Sequence, residues 1–167
     1  MKRILLIGCA GAGKSTLAPK IAQKLGLPCI HLDQLFWKPG WVETPQAEWE
    51  RKLKKIMKAK KWVMDGHYGG TQLLRFKYAD TILFFDFNRW ICLWRVLGRI
   101  AKTYGRTRVD MAPGCKEQFD WGFLVWIWDF NNGSRPATLE RLKTLKKKQR
   151  LVILRTPGEA ADFLNNL

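Results

Sequence analysis

The chain has few cysteines, few acidic residues and no long uninterrupted apolar run. Its four cysteines lie far apart, with no C-x-x-C pair and no histidine spacing suited to zinc. We therefore expect reduced thiols and no metal site beyond Mg²⁺ bound with nucleotide. The most apolar later stretch, Thr81 to Gly98, is interrupted by Asp86, Arg89 and Arg95. Those charges argue against a bilayer span and predict a buried strand followed by a helix.

The length and the N-terminus of the chain also indicate its number of domains and its localisation. The 167 residues fit a single domain, 1–167, whose central sheet is covered on both faces, and leave no room for a second folded domain. Met1-Lys2-Arg3 and the four apolar residues that follow lack the apolar length of a signal peptide. We therefore expect a cytoplasmic protein with no membrane partner.

Basic residues outnumber acidic ones by thirty to fourteen, which gives a formal net charge of +16 at pH 7. The excess is uneven: nine basic and two acidic residues lie between Arg51 and Asp80, and a second basic run spans 146–150. Such runs are usually solvated helix faces. The alternative is attraction of a polyanion, either nucleic acid or a multiply phosphorylated substrate.

A phosphate-binding loop stands near the N-terminus. Residues 8–15 have the sequence Gly-Cys-Ala-Gly-Ala-Gly-Lys-Ser, which is a complete G-x-x-x-x-G-K-[ST] motif directly after the apolar run 4–7. Its glycines let backbone N–H groups surround a polyphosphate, Lys14 would reach the β and γ phosphates, and Ser15 would ligand Mg²⁺. The motif predicts ATP·Mg²⁺ binding by Gly8, Gly11, Ala12, Gly13, Lys14, Ser15 and Thr16.

Strand and helix patterns alternate along the rest of the chain. The predicted strands are Lys2–Ile7, Cys29–Leu32, Trp62–Met64, Ala79–Phe85 and Leu151–Leu154. The predicted helices are 14–25, 45–60 with Thr44 as its cap, 88–100, 119–130, 136–148 and a last one that starts at the capping box Thr156, Pro157 and Glu159. Segments 34–43 and 102–116 are predicted to be a structured loop and a mobile loop. The pattern predicts a three-layer α/β/α fold with a five-stranded parallel sheet, which binds ligands at the carboxyl ends of its strands.

Two aspartates follow predicted strands. Asp65 ends a short apolar strand, where it could hold Mg²⁺ through water; the alternative is a turn carboxylate before Gly66. Asp33 ends the second strand, where it could orient the attacking hydroxyl of an acceptor as a base; the alternative is a cap for the next segment.

Four arginines are candidates to close over the transferred phosphate, because guanidinium groups meet charge that is spread over several oxygens. They are Arg95, Arg99, Arg106 and Arg108. Two of them could instead pair with Asp110 or face solvent. Most of the nine tryptophans are expected in the core, while Trp37 or Trp41 could line an acceptor pocket.

The chain resembles the adenylate-kinase-like branch of P-loop NTPases. Gly8, Gly11 and Gly13 match its G-x-x-G-x-G-K spacing, and the R-x-x-x-R string from Arg95 to Arg99 is similar to the one that opens its lid, placed here at about 101–118. Over nearly its whole length the sequence also resembles the group named DNA topology modulation protein, FlaR-type. That resemblance rests on the strings HLDQLFWKPGW (31–41), GRTRVDMA (105–112) and WIWDF (126–130).

The chain departs from adenylate kinase at the acceptor side. Asp65-Gly66 is followed by His67-Tyr68-Gly69 where that enzyme continues Phe-Pro-Arg, and the next arginine is Arg75. The segment after the second strand lacks the Thr-Gly and the arginine that grip a nucleoside monophosphate. These differences favour an acceptor other than AMP.

The sequence therefore predicts an ATP-dependent phosphotransferase, a small kinase whose small-molecule acceptor is undetermined. The alternative is a nucleic-acid-associated ATPase or a nucleotide-dependent DNA-binding protein that affects DNA topology, although no recognised nucleic-acid-binding module is present. A regulatory GTPase is disfavoured, because the chain has no Asn-Lys-x-Asp string and no D-x-x-G after the third strand.

Overall fold

The computed structural model describes residues 1–167, which form seven strands. These are β1 (Arg3–Gly8), β2 (Cys29–His31), β3 (Trp37–Lys38), β4 (Val42–Glu43), β5 (Trp62–Asp65), β6 (Thr81–Phe85) and β7 (Arg150–Leu154). Five of them make a parallel sheet in the order β2-β5-β1-β6-β7. The other two, β3 and β4, pair as a short antiparallel hairpin.

Eight helices connect and cover these strands. They are α1 (Lys14–Leu25), α2 (Leu32–Phe36), α3 (Gln46–Met57), α4 (Gln72–Phe76), α5 (Arg89–Thr103), α6 (Trp121–Asp129), α7 (Ser134–Leu142) and α8 (Pro157–Asn165). None of them combines the length and the apolarity that crossing a membrane requires. The predicted α/β fold with a five-stranded parallel sheet is confirmed.

The sheet is central because its middle strands are apolar on both faces. Ile4, Leu5, Leu6 and Ile7 of β1 have no solvent exposure, as expected for a parallel strand covered by helices on both sides. The same holds for the strands on either side of β1, whose apolar side chains belong to one continuous core. This burial fixes the carboxyl ends of β1, β2 and β5 beside one another, and the candidate site forms there.

The segment 34–43 is more ordered than the predicted loop. It contains most of α2 and the β3–β4 hairpin, and Thr44 closes it by donating its hydroxyl hydrogen and its N–H to the Phe36 carbonyl oxygen. The predicted cap role of Thr44 is therefore wrong. Helix α3 starts one residue later than predicted, after Pro45, with no side-chain cap. It ends at Met57, because the lysines that follow are exposed and have no apolar face to pack.

Other helices begin or end at residues that differ from the prediction. The cause is capping by polar side chains, which the pattern of apolar residues does not reveal. The Asp120 carboxylate accepts the N–H of Phe123 at 3.0 Å and starts α6 two residues later than predicted. The Gln149 side chain accepts the N–H of Lys146 at 2.8 Å and holds a turn where the helix was predicted to continue. Helix α4 was not predicted. The capping box at the start of α8 is confirmed, since Thr156 accepts the N–H of Glu159 at 3.1 Å.

Most tryptophans are not in the core, contrary to the prediction. Only Trp49 and Trp62 are fully buried. Five others are at least one-third exposed on α5 and α6, namely Trp90, Trp94, Trp121, Trp126 and Trp128. Helix α6 is so apolar that burying one stripe against α5 and the core leaves tryptophans on its outer face.

Candidate functional site

A cavity of about 1660 Å³ opens at the carboxyl ends of β1, β2 and β5. The predicted nucleotide-binding residues all line it, from Gly8 to Thr16. It is also lined by Asp33, Asp65, Arg95, Arg99 and Arg108. Arg106 is exposed and does not belong to the cavity wall. We call this space the cleft.

The phosphate loop supplies free donors to the cleft. Helix α1 starts after Gly13 with no side-chain cap and no acidic residue in its first turn, so no protein carboxylate competes for its first N–H groups. The Lys14 side chain is 8% exposed, and its ammonium donates only to the Cys9 carbonyl oxygen, at 2.7 Å. Donors of this kind at a helix N-terminus bind phosphate. The residues present therefore fit the polyphosphate of a nucleotide.

The loop depends on a glycine at position 8. Gly8 has φ +134°, and a Cβ there would stand 2.3 Å from the Phe85 carbonyl oxygen of β6. We expect Gly8→Ala to cost roughly 3 kcal/mol, at the upper end of overpacking effects, because neither backbone can move without opening the sheet. Gly26→Ala is the matched control, since Gly26 also has a positive φ but no atom within 4 Å of its Cβ position. It should cost about 1 kcal/mol. Thermal unfolding compares the two, and equal losses would contradict the steric argument.

Asp65 is held by a histidine that the motif search did not select. His31 and Asp65 end the neighbouring strands β2 and β5 in direct register, and His31 Nδ1 lies 2.6 Å from Asp65 Oδ1. The hydrogen bond to Asp65 raises the pKa of His31 to about 10, so the imidazole is protonated at neutral pH. Asp65 is therefore paired with a strand neighbour and does not act as a turn carboxylate. Its second oxygen has no protein donor and, with Ser15, fits a water-mediated Mg²⁺ site.

This ion pair makes a pH-dependent contribution to stability. The folded-state pKa of His31 is raised from 6.5 to about 10, so its contribution is complete below pH 6.5 and is lost as pH rises toward 10. His31→Gln keeps a donor for Asp65 but cannot titrate. We expect the difference in melting temperature between the wild-type chain and His31→Gln to shrink by several degrees between pH 6.5 and pH 10. A difference that is constant with pH would contradict a protonated His31.

Asp33 lies in the first turn of α2 and faces the cleft. It does not cap that helix; its carboxylate accepts the hydroxyl hydrogen of Tyr68 at 2.5 Å. Burial raises the pKa of Asp33, the Tyr68 hydrogen bond opposes that rise, and Lys14 and Arg108 also favour its ionised form. A partly buried carboxyl with a raised pKa, near a cation that would bind phosphate, is suited to general-base chemistry.

The loop that presents Tyr68 is anchored by a buried arginine. Arg75 has no solvent exposure, and its guanidinium donates to the carbonyl oxygens of Gly66, His67 and Tyr68 at 2.5 to 2.8 Å. Tyr68 has φ +34°, a conformation that costs energy for a tyrosine and requires such support. Burial lowers the pKa of His67 to about 3, so its neutral ring can accept the Gly8 N–H at 3.3 Å.

The arginines of the cleft are of two kinds. Arg95 has no carboxylate partner and lies beside Gly13. Arg99 and Arg108 lie 3.2 Å and 3.0 Å from the two oxygens of Glu117, which is 5% exposed. Arg108 is also 3.6 Å from Asp110. The predicted pairing with Asp110 thus occurs, but the principal partner is Glu117, which no sequence motif indicates.

The predicted mobile loop packs against the β3–β4 hairpin. The Trp41 indole donates to the Lys116 carbonyl oxygen at 2.9 Å, and the Gly40 N–H donates to the Gly114 carbonyl oxygen at 3.3 Å. Trp37 and Trp41 contact a small apolar cluster of Met111, Ala112 and Cys115. The lid was predicted at about 101–118. Residues of that segment line the cleft, as do Trp37 and Trp41, and its role as a lid stays a prediction.

Comparison of the chain with protein-family profiles and with curated protein sequences finds no match. Solved structures do match over nearly its whole length. A shikimate kinase from Acinetobacter baumannii aligns with a TM-score of 0.65 and 17% identity, over 99% of this chain and 90% of that one. A gluconokinase from Sinorhizobium meliloti 1021 aligns with a TM-score of 0.51 and 16% identity, over 99% and 92% of the two chains. A deoxyadenosine kinase from M. mycoides aligns with a TM-score of 0.53 and 13% identity, over 98% of each chain. The chain therefore has the P-loop fold that these small kinases share.

Proposed function

We propose that the chain is an ATP-dependent phosphotransferase that acts on a hydroxyl group of a small acceptor. The observation that carries this proposal is that one cleft holds both the phosphate loop with Lys14 and the partly buried carboxyl group of Asp33. Its volume of about 1660 Å³ exceeds the 300–1,000 Å³ typical of a site for one drug-sized ligand. The cleft therefore has room for a nucleotide and an acceptor together.

The proposed transfer uses these residues in distinct roles. Asp33 accepts the proton of the acceptor hydroxyl. As it does so, the oxygen of that hydroxyl forms a bond to the γ phosphorus, and the bond between the γ phosphorus and the β–γ bridging oxygen breaks, which releases ADP. Lys14 and Arg95 stabilise the negative charge on the transferred group and the leaving oxygen. Mg²⁺, bound with the nucleotide near Ser15 and Asp65, would neutralise phosphate charge.

Tyr68 and His31 are proposed as positioning residues. Tyr68 fixes the orientation of the Asp33 carboxyl through its hydroxyl, and Arg75 fixes the loop that carries Tyr68. His31 fixes Asp65 through their ion pair. Neither residue needs to touch the reacting atoms to affect the rate.

The test is acceptor-dependent formation of ADP from ATP·Mg²⁺. The neighbouring folds belong to a shikimate kinase, a gluconokinase and a deoxyadenosine kinase, so the panel should contain hydroxy acids, sugars, nucleosides and nucleoside monophosphates. Stimulation of ADP formation by one acceptor, with the phosphorylated product identified by mass spectrometry, supports the proposal. Nucleotide binding without transfer to any acceptor would contradict it. The four free cysteines fit an activity in a reducing compartment such as the cytoplasm.

A second candidate is a nucleic-acid-associated ATPase, to which the FlaR-type resemblance also points. It is favoured by the net charge of +16 and by exposed tryptophans such as Trp94 and Trp121, at 69% and 70% exposure, since bases stack on aromatic rings. The test is binding of a single-stranded oligonucleotide at increasing salt. Replacing exposed Lys54 and Lys55 of α3 by glutamate should weaken that binding, and salt-independent or absent binding would remove this candidate.

A further inference from the structure

The cleft wall departs from the charge of the whole chain. The chain has thirty basic and fourteen acidic residues, yet the cleft is lined by equal numbers of carboxylates and cations. The six carboxylates are Asp33, Glu43, Asp65, Asp110, Glu117 and Asp120. The six cations are Lys14, Lys20, the protonated His31, Arg95, Arg99 and Arg108. The cleft therefore lacks the basic excess of the chain as a whole.

The three cations that lack a carboxylate partner lie on the phosphate side of the cleft. Lys14 and Arg95 lie at the phosphate loop, and Lys20 lies on α1, the helix that follows the loop. Arg99 and Arg108 are neutralised by Glu117, and Arg108 also by Asp110. The unpaired positive charge thus lies where the polyphosphate would bind, and both arginines near Glu117 already have carboxylate partners.

The surroundings of Asp33 are aromatic, and the cations near it already have partners or face the phosphate side. Arg108 is paired with Glu117, Lys14 belongs to the phosphate loop, and His31 is paired with Asp65. Trp37 and Trp41 line the same cleft with their ring centroids 5.4 Å apart. Indole faces bind flat apolar surfaces and cations, and carboxylates repel anions.

We propose, on the basis of the kinase function above, that the acceptor carries no negative charge and is a neutral or cationic hydroxyl compound. An anionic acceptor would place its carboxylate or phosphate beside Asp33, where Arg108 is already paired with Glu117 and Lys14 would bind the nucleotide. An unpaired charge in a partly buried site is costly. A nucleoside or an amino sugar meets these conditions; a nucleoside monophosphate or a sugar acid does not.

The experiment compares acceptors of related structure and different charge. The first set is a nucleoside and its 5′-monophosphate, and the second set is glucosamine, glucose and glucuronate. Each compound is tested for phosphoryl transfer from ATP·Mg²⁺ and for equilibrium binding in the presence of a non-hydrolysable ATP analogue. In at least one set, we expect the neutral or cationic member to exceed the anionic member by tenfold or more in the rate of phosphoryl transfer and in binding affinity. In every set, the anionic member should be the poorest acceptor and the weakest ligand.

A charge-reversal variant tests the cause. Glu43→Lys places a cation in the cleft wall and should lower the ratio of neutral to anionic binding several-fold, whereas Glu140→Lys, outside the cleft and 69% exposed on its side chain, should leave it unchanged. Preference for an anionic member, or binding of no neutral or cationic member, would overturn the inference. Charge-selective binding without any transfer would instead contradict the kinase function and leave the inference standing.

Discussion

Replacing Lys14 by alanine is expected to lower acceptor-dependent ADP formation by on the order of 10²–10³-fold, the scale of losing one preorganised donor to transition-state charge. Its ammonium is buried beside the phosphate loop and its only protein partner is the Cys9 carbonyl oxygen. That bond can be exchanged for phosphate oxygens when ATP binds. The measurement is the steady-state rate with ATP·Mg²⁺ and the best acceptor.

The control for this variant is Lys24→Ala. Lys24 ends the same helix, but its ammonium donates to the carbonyl oxygens of Leu164 and Asn165, away from the cleft. It should retain the wild-type rate with a small loss of stability. If both variants lost activity equally, the effect of Lys14→Ala would be one of folding, and the assigned role of Lys14 would be wrong.

Replacing Asp33 by asparagine is expected to lower kcat by roughly 10²–10⁴-fold, the range of a positioned general base. The KM for ATP should change little, because Asp33 belongs to the acceptor side. Asparagine still accepts the Tyr68 hydroxyl hydrogen, so the geometry is kept while the base is lost. Unchanged turnover in Asp33→Asn would contradict the proposed role.

The pH dependence separates Asp33 from its positioning partner. Burial raises the pKa of Asp33. As the medium is acidified, the wild-type rate should therefore begin to fall at a higher pH than it would with an ordinary aspartate as the base. Tyr68→Phe removes the hydrogen bond that lowers this pKa, and the acid limb should then move to higher pH with a smaller loss of kcat. Asp33→Asn should lack that limb.

The local geometry of the phosphate loop could be predicted from the sequence. Residues 8–15 form a loop that leads into the N-terminus of α1 and lines the cleft, so a local motif carries nearly all the information about its conformation. The sheet was also predictable, because a parallel strand buried on both faces has a continuous apolar sequence, as in β1 and β6. The helix ends were less predictable, since caps such as Asp120 and turns such as that of Gln149 depend on single hydrogen bonds.

The acceptor side could not be predicted in the same way. The His31–Asp65 pair depends on the order of strands in the sheet, which places β2 next to β5 in register. An ion pair between a histidine and an aspartate at the ends of two strands can be predicted only once the order of the strands is known. Glu117 pairs with Arg99 of α5 and with Arg108, and Arg75 binds three carbonyl groups of a loop. Neither contact leaves a short sequence pattern.

The central claim is that one cleft transfers phosphate from ATP to a hydroxyl acceptor, and acceptor-stimulated ADP formation by the wild-type chain, Lys14→Ala and Asp33→Asn tests it most directly. The account predicts stimulation by a neutral or cationic hydroxyl compound in the wild-type chain, loss of nearly all stimulated turnover in both variants, and retained ATP binding in Asp33→Asn. ATP hydrolysis that no acceptor stimulates, or that Asp33→Asn leaves unchanged, would contradict it.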